Sequence, residues 1–160
     1  MQALFPWLLF LHVLGAIVAF GPTFAFSIIG AAGGAEPQHA NFATRVSHAL
    51  SSKLVLPIGF TLPITGLAMM AVVGINPLQR SHWWLALGIL LYLITYGYGF
   101  FVQRKLVERV IEITSAPPPP GASGPPPELL ALVGRIQRGG MAMGISIVAI
   151  VFLMVVKPTF

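Results

Sequence analysis

The sequence contains no cysteine among its 160 residues. Without thiols the chain can form no disulfide, no thiolate metal site, no iron–sulfur cluster and no cysteine nucleophile. Charged residues are also scarce, at 8% of the chain, whereas soluble domains carry about 25%. This deficit indicates that most of the surface faces lipid or other protein rather than water.

Acidic residues number only four, and none of them lies within a long apolar stretch. Proton-coupled carriers usually bury at least one acid, so active proton-coupled transport is disfavoured. Hydrolysis by paired acids inside the membrane is disfavoured for the same reason. A carboxylate site for a hard cation also lacks its ligands. The four acids are Glu36, Glu108, Glu112 and Glu128.

Four long apolar stretches occupy most of the chain, approximately residues 3–31, 54–74, 83–102 and 129–156. Crossing a bilayer needs about 20 mainly apolar residues, and the mean hydropathy of +0.87 agrees. The first stretch has no basic residue before it and is about twice as long as the 7–15-residue core of a signal peptide, so we predict a retained helix. The sequence therefore predicts an all-α fold, a four-helix transmembrane bundle that forms one membrane domain over residues 1–160.

Basic residues are distributed unequally across the predicted membrane. If all four stretches cross, residues 32–53 and 103–128 lie on one side, while both termini and residues 75–82 lie on the other. Five Lys and Arg residues lie in the segments of the first side, and Arg135 and Arg138 at the start of the fourth span bring this side to seven, whereas the second side has two. The positive-inside rule makes the first side cytoplasmic and predicts an N-out, C-out topology. All three tryptophans then fall at the outer headgroup level: Trp7, Trp83 and Trp84.

Two segments outside the apolar stretches have a distinct composition. Residues 37–53 are amphipathic, with Phe42, Val46 and Leu50 at helical spacing, and predict either an interfacial helix or a cytoplasmic extension of the second span. Residues 115–127 contain seven prolines in thirteen positions. This composition predicts an extended, proline-rich cytoplasmic linker, which serves as a tether or binds a proline-recognition module.

Two prolines, Pro57 and Pro63, lie in the second stretch. A proline inside a helix removes one backbone hydrogen bond, so we expect this span to bend or to break locally. The freed carbonyl groups need partners within the membrane, and the hydroxyls of Thr61 and Thr65 are the nearby candidates.

His12 is the sharpest candidate for chemistry. It lies about nine residues inside the first stretch, hence roughly 13 Å deep at helical rise, where a histidine is expected to face the bundle interior. It either ligates haem b or carries a proton, or it is a neutral histidine hydrogen-bonded to a tyrosine or threonine of another helix. His82, on the same side at the outer end of the third span, could share a haem site. We assign no catalytic residue and no other metal site.

Small residues mark two predicted helix-packing faces. Gly15 and Ala19 lie on the same face of the first helix as His12, where they permit close approach of another helix. Gly140 and Gly144 form a GxxxG pattern in the fourth stretch. The spacing places both glycines on one face, which packs either within the protomer or against a partner.

The run Leu11-His12-Val13-Leu14-Gly15-Ala16, followed by Phe20-Gly21-Pro22, resembles the opening helix of the domain of unknown function 2269 family. The resemblance implies a four-span integral protein of the bacterial cytoplasmic membrane, with no assigned activity. The Leu-His pair is also similar to the CopD copper-resistance membrane domain and to HemJ-type protoporphyrinogen oxidase. From those two families only His12, as a haem ligand, carries over to this chain.

These observations favour a non-enzymatic function. We predict a structural or accessory unit of a membrane complex, which contacts the lipid bilayer and assembles as a homo-oligomer or with other membrane proteins, and not with nucleic acid. The first alternative is a redox protein that binds haem b through His12. The second is a small transporter or channel with a water-accessible path past Thr61 and Thr65.

Overall fold

A computed structural model describes residues 2–116 and 124–158. These two ranges form helices with short connections and contain no strand. Four helices are long and apolar enough to cross a membrane, which confirms the predicted all-α membrane bundle. Most of the predicted proline-rich linker, residues 117–123, lies outside the described residues. The four helices are α1 (Phe5–Ala35), α2 (Pro37–Val73), α3 (Arg80–Ser115) and α4 (Pro127–Val156).

Helix α1 has 31 residues, so it is roughly 46 Å long at helical rise and exceeds the hydrocarbon thickness of about 30 Å. Pro22 lies inside this helix, which continues to Ala35. Only Glu36 separates α1 from α2, and the two helices approach closely at this end. A Cβ atom on Gly33 would lie 2.8 Å from the Cβ of Ala43, so glycine permits the tight reversal.

Helix α2 joins the amphipathic segment and the second apolar stretch into one element. Of the two interpretations offered for residues 37–53, the structure has the extension of the span. A π-helical turn at Ser51–Val55 carries an i to i−5 hydrogen bond from the N–H of Leu56 to the oxygen of Ser51. This wide turn directly precedes Pro57, which has no N–H to donate. The helix continues through both prolines to Val73 and does not break.

The bundle consists of two closely packed pairs, α1 with α2 and α3 with α4. The C-terminal part of α3 also packs on the N-terminal part of α2, where the Asn41 amide donates to the Thr114 hydroxyl at 2.8 Å. Interior side chains are few, and the most buried are Ala19, Leu62, Val110 and Ile147. Large apolar side chains point outward on all four helices, for example Ile28 at 72% and Val155 at 74% exposure. Such a surface requires hydrocarbon around it.

Candidate functional site

A hydrogen bond joins the half-buried histidine of α1 to α2. His12 Nδ1 lies 2.8 Å from the Thr65 hydroxyl. That hydroxyl also lies 3.1 Å from the carbonyl oxygen of Leu62 and 3.2 Å from that of Thr61. The Thr65 hydroxyl has one proton, which either a backbone carbonyl or His12 Nδ1 can accept. We assign the arrangement in which the hydroxyl donates to the backbone and His12 Nδ1–H donates to Thr65. The position of His12 agrees with the alternative of a histidine bonded to a neighbouring threonine.

The tyrosines of α3 hydrogen-bond the proline-containing part of α2. Pro63 cannot donate to the carbonyl four residues before it, which is that of Gly59. The Tyr92 hydroxyl donates to this Gly59 oxygen at 2.7 Å. The Tyr96 hydroxyl donates to the Leu56 oxygen at 3.0 Å. The two rings stack, with centroids 5.6 Å apart and planes 17° apart, so they form one bridge between the helices.

The expectation that Thr61 and Thr65 satisfy the carbonyl freed by Pro63 is wrong. The Thr61 hydroxyl donates to Ile58 at 2.7 Å, and Thr65 contacts the carbonyls described above, neither of which is that of Gly59. The donor comes from α3 instead, because a hydroxyl on a long aromatic side chain reaches across the gap between helices. The signal in the sequence was the pair of tyrosines four residues apart in the third stretch.

Polar side chains also join α3 to α4. The hydroxyls of Thr95 and Ser146 are 2.6 Å apart. The Gln103 amide donates to the Ile136 oxygen at 2.9 Å, while its Oε1 is buried without a hydrogen-bond partner among the described residues. A Cβ on Gly139 would lie 2.6 Å from this Oε1 and would also collide with the Tyr98 hydroxyl. Gly139 therefore lets α3 and α4 approach closely.

His12 and His82 have separate partners. His82 Nδ1–H donates to the Asn76 oxygen at 3.0 Å, in the connection between α2 and α3, whereas His12 bonds within the bundle. In the part of the chain that the structure describes, no group of three His, Cys, Asp or Glu side chains could hold a metal ion. The proposed sharing of haem b by these two histidines stays a prediction.

The two predicted packing faces have different surroundings. Ala19 is completely buried, and a Cβ on Gly15 would lie 3.2 Å from Leu62 Cδ2, so this face packs against α2. On α4, by contrast, a Cβ on Gly144 would meet no described atom within 4 Å, and one on Gly140 would meet only Gln103 Nε2 at 3.9 Å. The glycines of the GxxxG pattern are thus hardly used inside the protomer.

These two glycines continue into an outward stripe of valines on α4. At 100° per residue, the two glycines and three valines at positions 148, 151 and 155 fall on one side of the helix. The exposed fractions of the valines are 57% at Val148, 49% at Val151 and 74% at Val155. We call the stripe the Gly–Val face: Gly140, Gly144, Val148, Val151 and Val155.

Ion pairs connect α3 to the start of α4 beyond the apolar stretches. The Arg109 guanidinium donates to Glu112 at 2.7 Å and to Glu128 at 3.0 Å. These hydrogen bonds, first that with Glu112 and then that with Glu128, raise the pKa of Arg109 above its ordinary value. Arg109 therefore stays charged at physiological pH and holds the N-terminus of α4 beside α3.

The comparisons with known proteins add one match. The profile of a family described as "Predicted integral membrane protein (DUF2269)" matches residues 6–158. No curated protein and no solved structure matches the chain. The resemblance to the CopD-like and HemJ-like proteins has no support from these comparisons.

Proposed function

Because the chain belongs to the DUF2269 family of predicted integral membrane proteins, we propose that it is a non-catalytic structural or accessory unit of the bacterial cytoplasmic membrane. It acts by associating with other membrane helices, and a second copy of the chain is the partner that we propose first. A larger membrane complex is the alternative.

The Gly–Val face is the observation that carries this proposal. Small residues let helix backbones approach closely in lipid, where association depends on van der Waals packing and hydrogen bonds rather than on the hydrophobic effect. Valine on a helix has one strongly preferred χ1 rotamer, so it loses little side-chain entropy when it packs. The face points away from the protomer, since Gly144 has no described neighbour within 4 Å of its would-be Cβ.

The polar contacts between the helices support the same function. Hydrogen bonds of His12, Tyr92 and Thr95 connect α1 to α2, α2 to α3 and α3 to α4, respectively. The hydroxyls of Thr61 and Thr65 donate to carbonyls of their own helix. The polar groups hold the helices together, so the surface for association is on the outside.

The absence of cysteine from the chain permits a direct test by single-cysteine cross-linking. Val148→Cys places one thiol on the Gly–Val face, and Leu90→Cys places one at a lipid-facing position of α3 that is 53% exposed. We expect oxidation in native membranes to give a disulfide-linked dimer of the Val148→Cys protein and only monomer of the Leu90→Cys protein. Equal yields from both variants would indicate random collision and would refute the proposed dimer.

Disruption of the face gives the complementary test. Gly144→Leu inserts a large side chain between the two helices, and we expect it to convert the dimer to monomer in mild detergent. Gly97→Leu is the matched control. A Cβ on Gly97 also meets nothing within 4 Å, but this glycine lies on α3, away from the Gly–Val face. If Gly144→Leu leaves the dimer intact, a second copy does not pack on this face.

A haem b protein is the second candidate, and it rests on the hydrogen bond between His12 and Thr65. Ligating histidines usually donate their other ring N–H to a polar group, which fixes the orientation of the ring. His12 meets this condition through Nδ1, and Nε2 would be the nitrogen that holds the haem iron.

A further inference from the structure

An open groove of about 650 Å³ lies between the N-terminal part of α2 and the C-terminal part of α3. Its wall on α2 carries basic and hydroxyl groups, whereas the wall on α3 contributes one acid. An exposed aromatic ring stands at its margin, since Phe42 is 68% exposed. The residues that matter for the argument are Phe42, Arg45, His48, Ser52, Lys53 and Glu108.

The charges of this groove do not cancel. Glu108 is engaged by Arg104 at 2.8 Å, and His48 Nε2 lies 3.9 Å from the same carboxylate. Over residues 2–116 and 124–158, Arg45 and Lys53 make no ion pair within 4.0 Å. The groove therefore presents two unpaired cations, and its charge is complementary to an anion.

The position of the groove along α2 restricts what this anion is. The second apolar stretch begins at Leu54, directly after Lys53. Arg45 lies eight residues before Lys53, hence roughly 12 Å further along the helix axis. This distance covers the headgroup layer of one leaflet, which is about 5–8 Å thick. With the hydrocarbon boundary at Leu54, we expect the phosphate groups of lipids at the level of the groove.

We propose that this groove binds the headgroup of an anionic phospholipid. Arg45 and Lys53 contact the phosphate. The Ser52 hydroxyl now donates to the His48 carbonyl at 2.7 Å and is placed to donate to a phosphate oxygen instead. Phe42 lies at the cytoplasmic margin of the groove, beyond Arg45. The positive-inside rule alone explains Lys and Arg on this side of the membrane at any position. Binding of a headgroup in the groove depends instead on Arg45 and Lys53 in particular.

Two double variants with the same net charge separate these explanations. The test uses the full chain in mild detergent, with native mass spectrometry of bound phosphatidylglycerol and with phosphatidylcholine for comparison. Arg45→Gln/Lys53→Gln removes the cations of the groove, whereas Lys105→Gln/Arg135→Gln removes two cations outside it. At about 1 kcal/mol for each cation near an anionic surface, we expect the first variant to bind phosphatidylglycerol about tenfold to thirtyfold more weakly. Equal losses in both variants would overturn the proposal.

A substitution that is expected to strengthen binding distinguishes loss of the groove from misfolding. Glu108→Gln removes the acid of the groove, so we expect tighter binding of phosphatidylglycerol, and Glu112→Gln on the same helix is the control outside the groove. A damaged fold would not strengthen binding. An unchanged or weakened affinity in Glu108→Gln contradicts the proposal.

Inorganic phosphate distinguishes a lipid from a soluble anion. We expect millimolar phosphate to leave the bound phosphatidylglycerol in place, because the acyl chains of the lipid add contacts with the apolar part of α2 that begins at Leu54. Displacement of the lipid by phosphate alone would show that the groove binds a soluble phosphate instead and would overturn the assignment to a lipid.

Discussion

Tyr92 of α3 donates a 2.7 Å hydrogen bond to the carbonyl oxygen of Gly59 in α2, the oxygen that Pro63 leaves without an intrahelical donor. In hydrocarbon an unsatisfied carbonyl has no water to bond, so its partner must come from the protein. The position of one proline on α2 thereby selects the residue of α3 that lies beside it.

Tyr92→Phe should lower the stability of the bundle by about 0.6–1.7 kcal/mol, between the average and the maximum measured for side-chain hydrogen bonds within membranes. Tyr98→Phe is the matched control, because the Tyr98 hydroxyl makes no hydrogen bond to the described residues. The measurement is thermal or denaturant unfolding in detergent. In a Pro63→Ala background the helix regains its own donor to Gly59, so the same Tyr92→Phe change should then have little effect. An equal loss in both backgrounds would show that the ring, not the hydroxyl, stabilises the bundle.

Thr65→Val should destabilise the packing of α1 on α2 because it leaves Nδ1–H of His12 without its acceptor. An unpaired buried donor costs about 1–3 kcal/mol. Thr65→Ser keeps the hydroxyl and should retain most of the stability. Thr23→Val is a further control, since Thr23 bonds only the Phe20 carbonyl of its own helix. Unfolding in detergent measures all three, and similar losses in Thr65→Val and Thr65→Ser would contradict the proposed role of the hydroxyl.

Gly139→Ala and Gly144→Ala should affect the stability of the protomer differently, although the two glycines lie on one helix. A methyl group at Gly139 would collide with Tyr98 and Gln103, whereas one at Gly144 enters free space. We expect Gly139→Ala to destabilise the folded protomer by about 1–3 kcal/mol, as overpacking does. Gly144→Ala should leave the protomer as stable as the parent. Unfolding of the dilute, monomeric protein in detergent checks this, and equal stability of both variants would refute the close contact at Gly139.

The predicted topology has both termini outside the cytoplasm. A reporter that is active only outside the cytoplasm should therefore be active when fused after Phe160. The same reporter inserted after Pro120, in the predicted cytoplasmic linker, should be inactive. The reverse pattern would invert the orientation derived from the basic residues.

An optical spectrum distinguishes the two candidate functions. We expect protein purified in mild detergent from cells supplied with haem precursor to be colourless, as a structural unit would be. A Soret band that is present in the parent and absent in His12→Ala would instead establish the haem b candidate, and a band that survives in His12→Ala would exclude His12 as the ligand.

The sequence predicted the helices well because membrane crossing depends on local composition. About 20 apolar residues in a row suffice to identify a span, and all four stretches lie within long helices apart from residues at their ends. It also identified His12 as a residue that needs a polar partner, since burial of a histidine in hydrocarbon is unfavourable wherever the helix packs. The partner itself, Thr65, lies 53 positions away. The sequence could therefore name only the type of partner, a tyrosine or a threonine of another helix.

The sequence by itself determined that four apolar helices form this protein, because transfer of apolar side chains from water to lipid depends on each stretch alone. The tertiary structure decided which atoms meet. It assigned Tyr92 rather than a threonine to Gly59, placed Gly139 inside and Gly144 outside, and brought Glu108 of α3 to the basic side of α2. These pairings depend on the rotation and offset of one helix against another, which packing between distant segments sets and local composition does not.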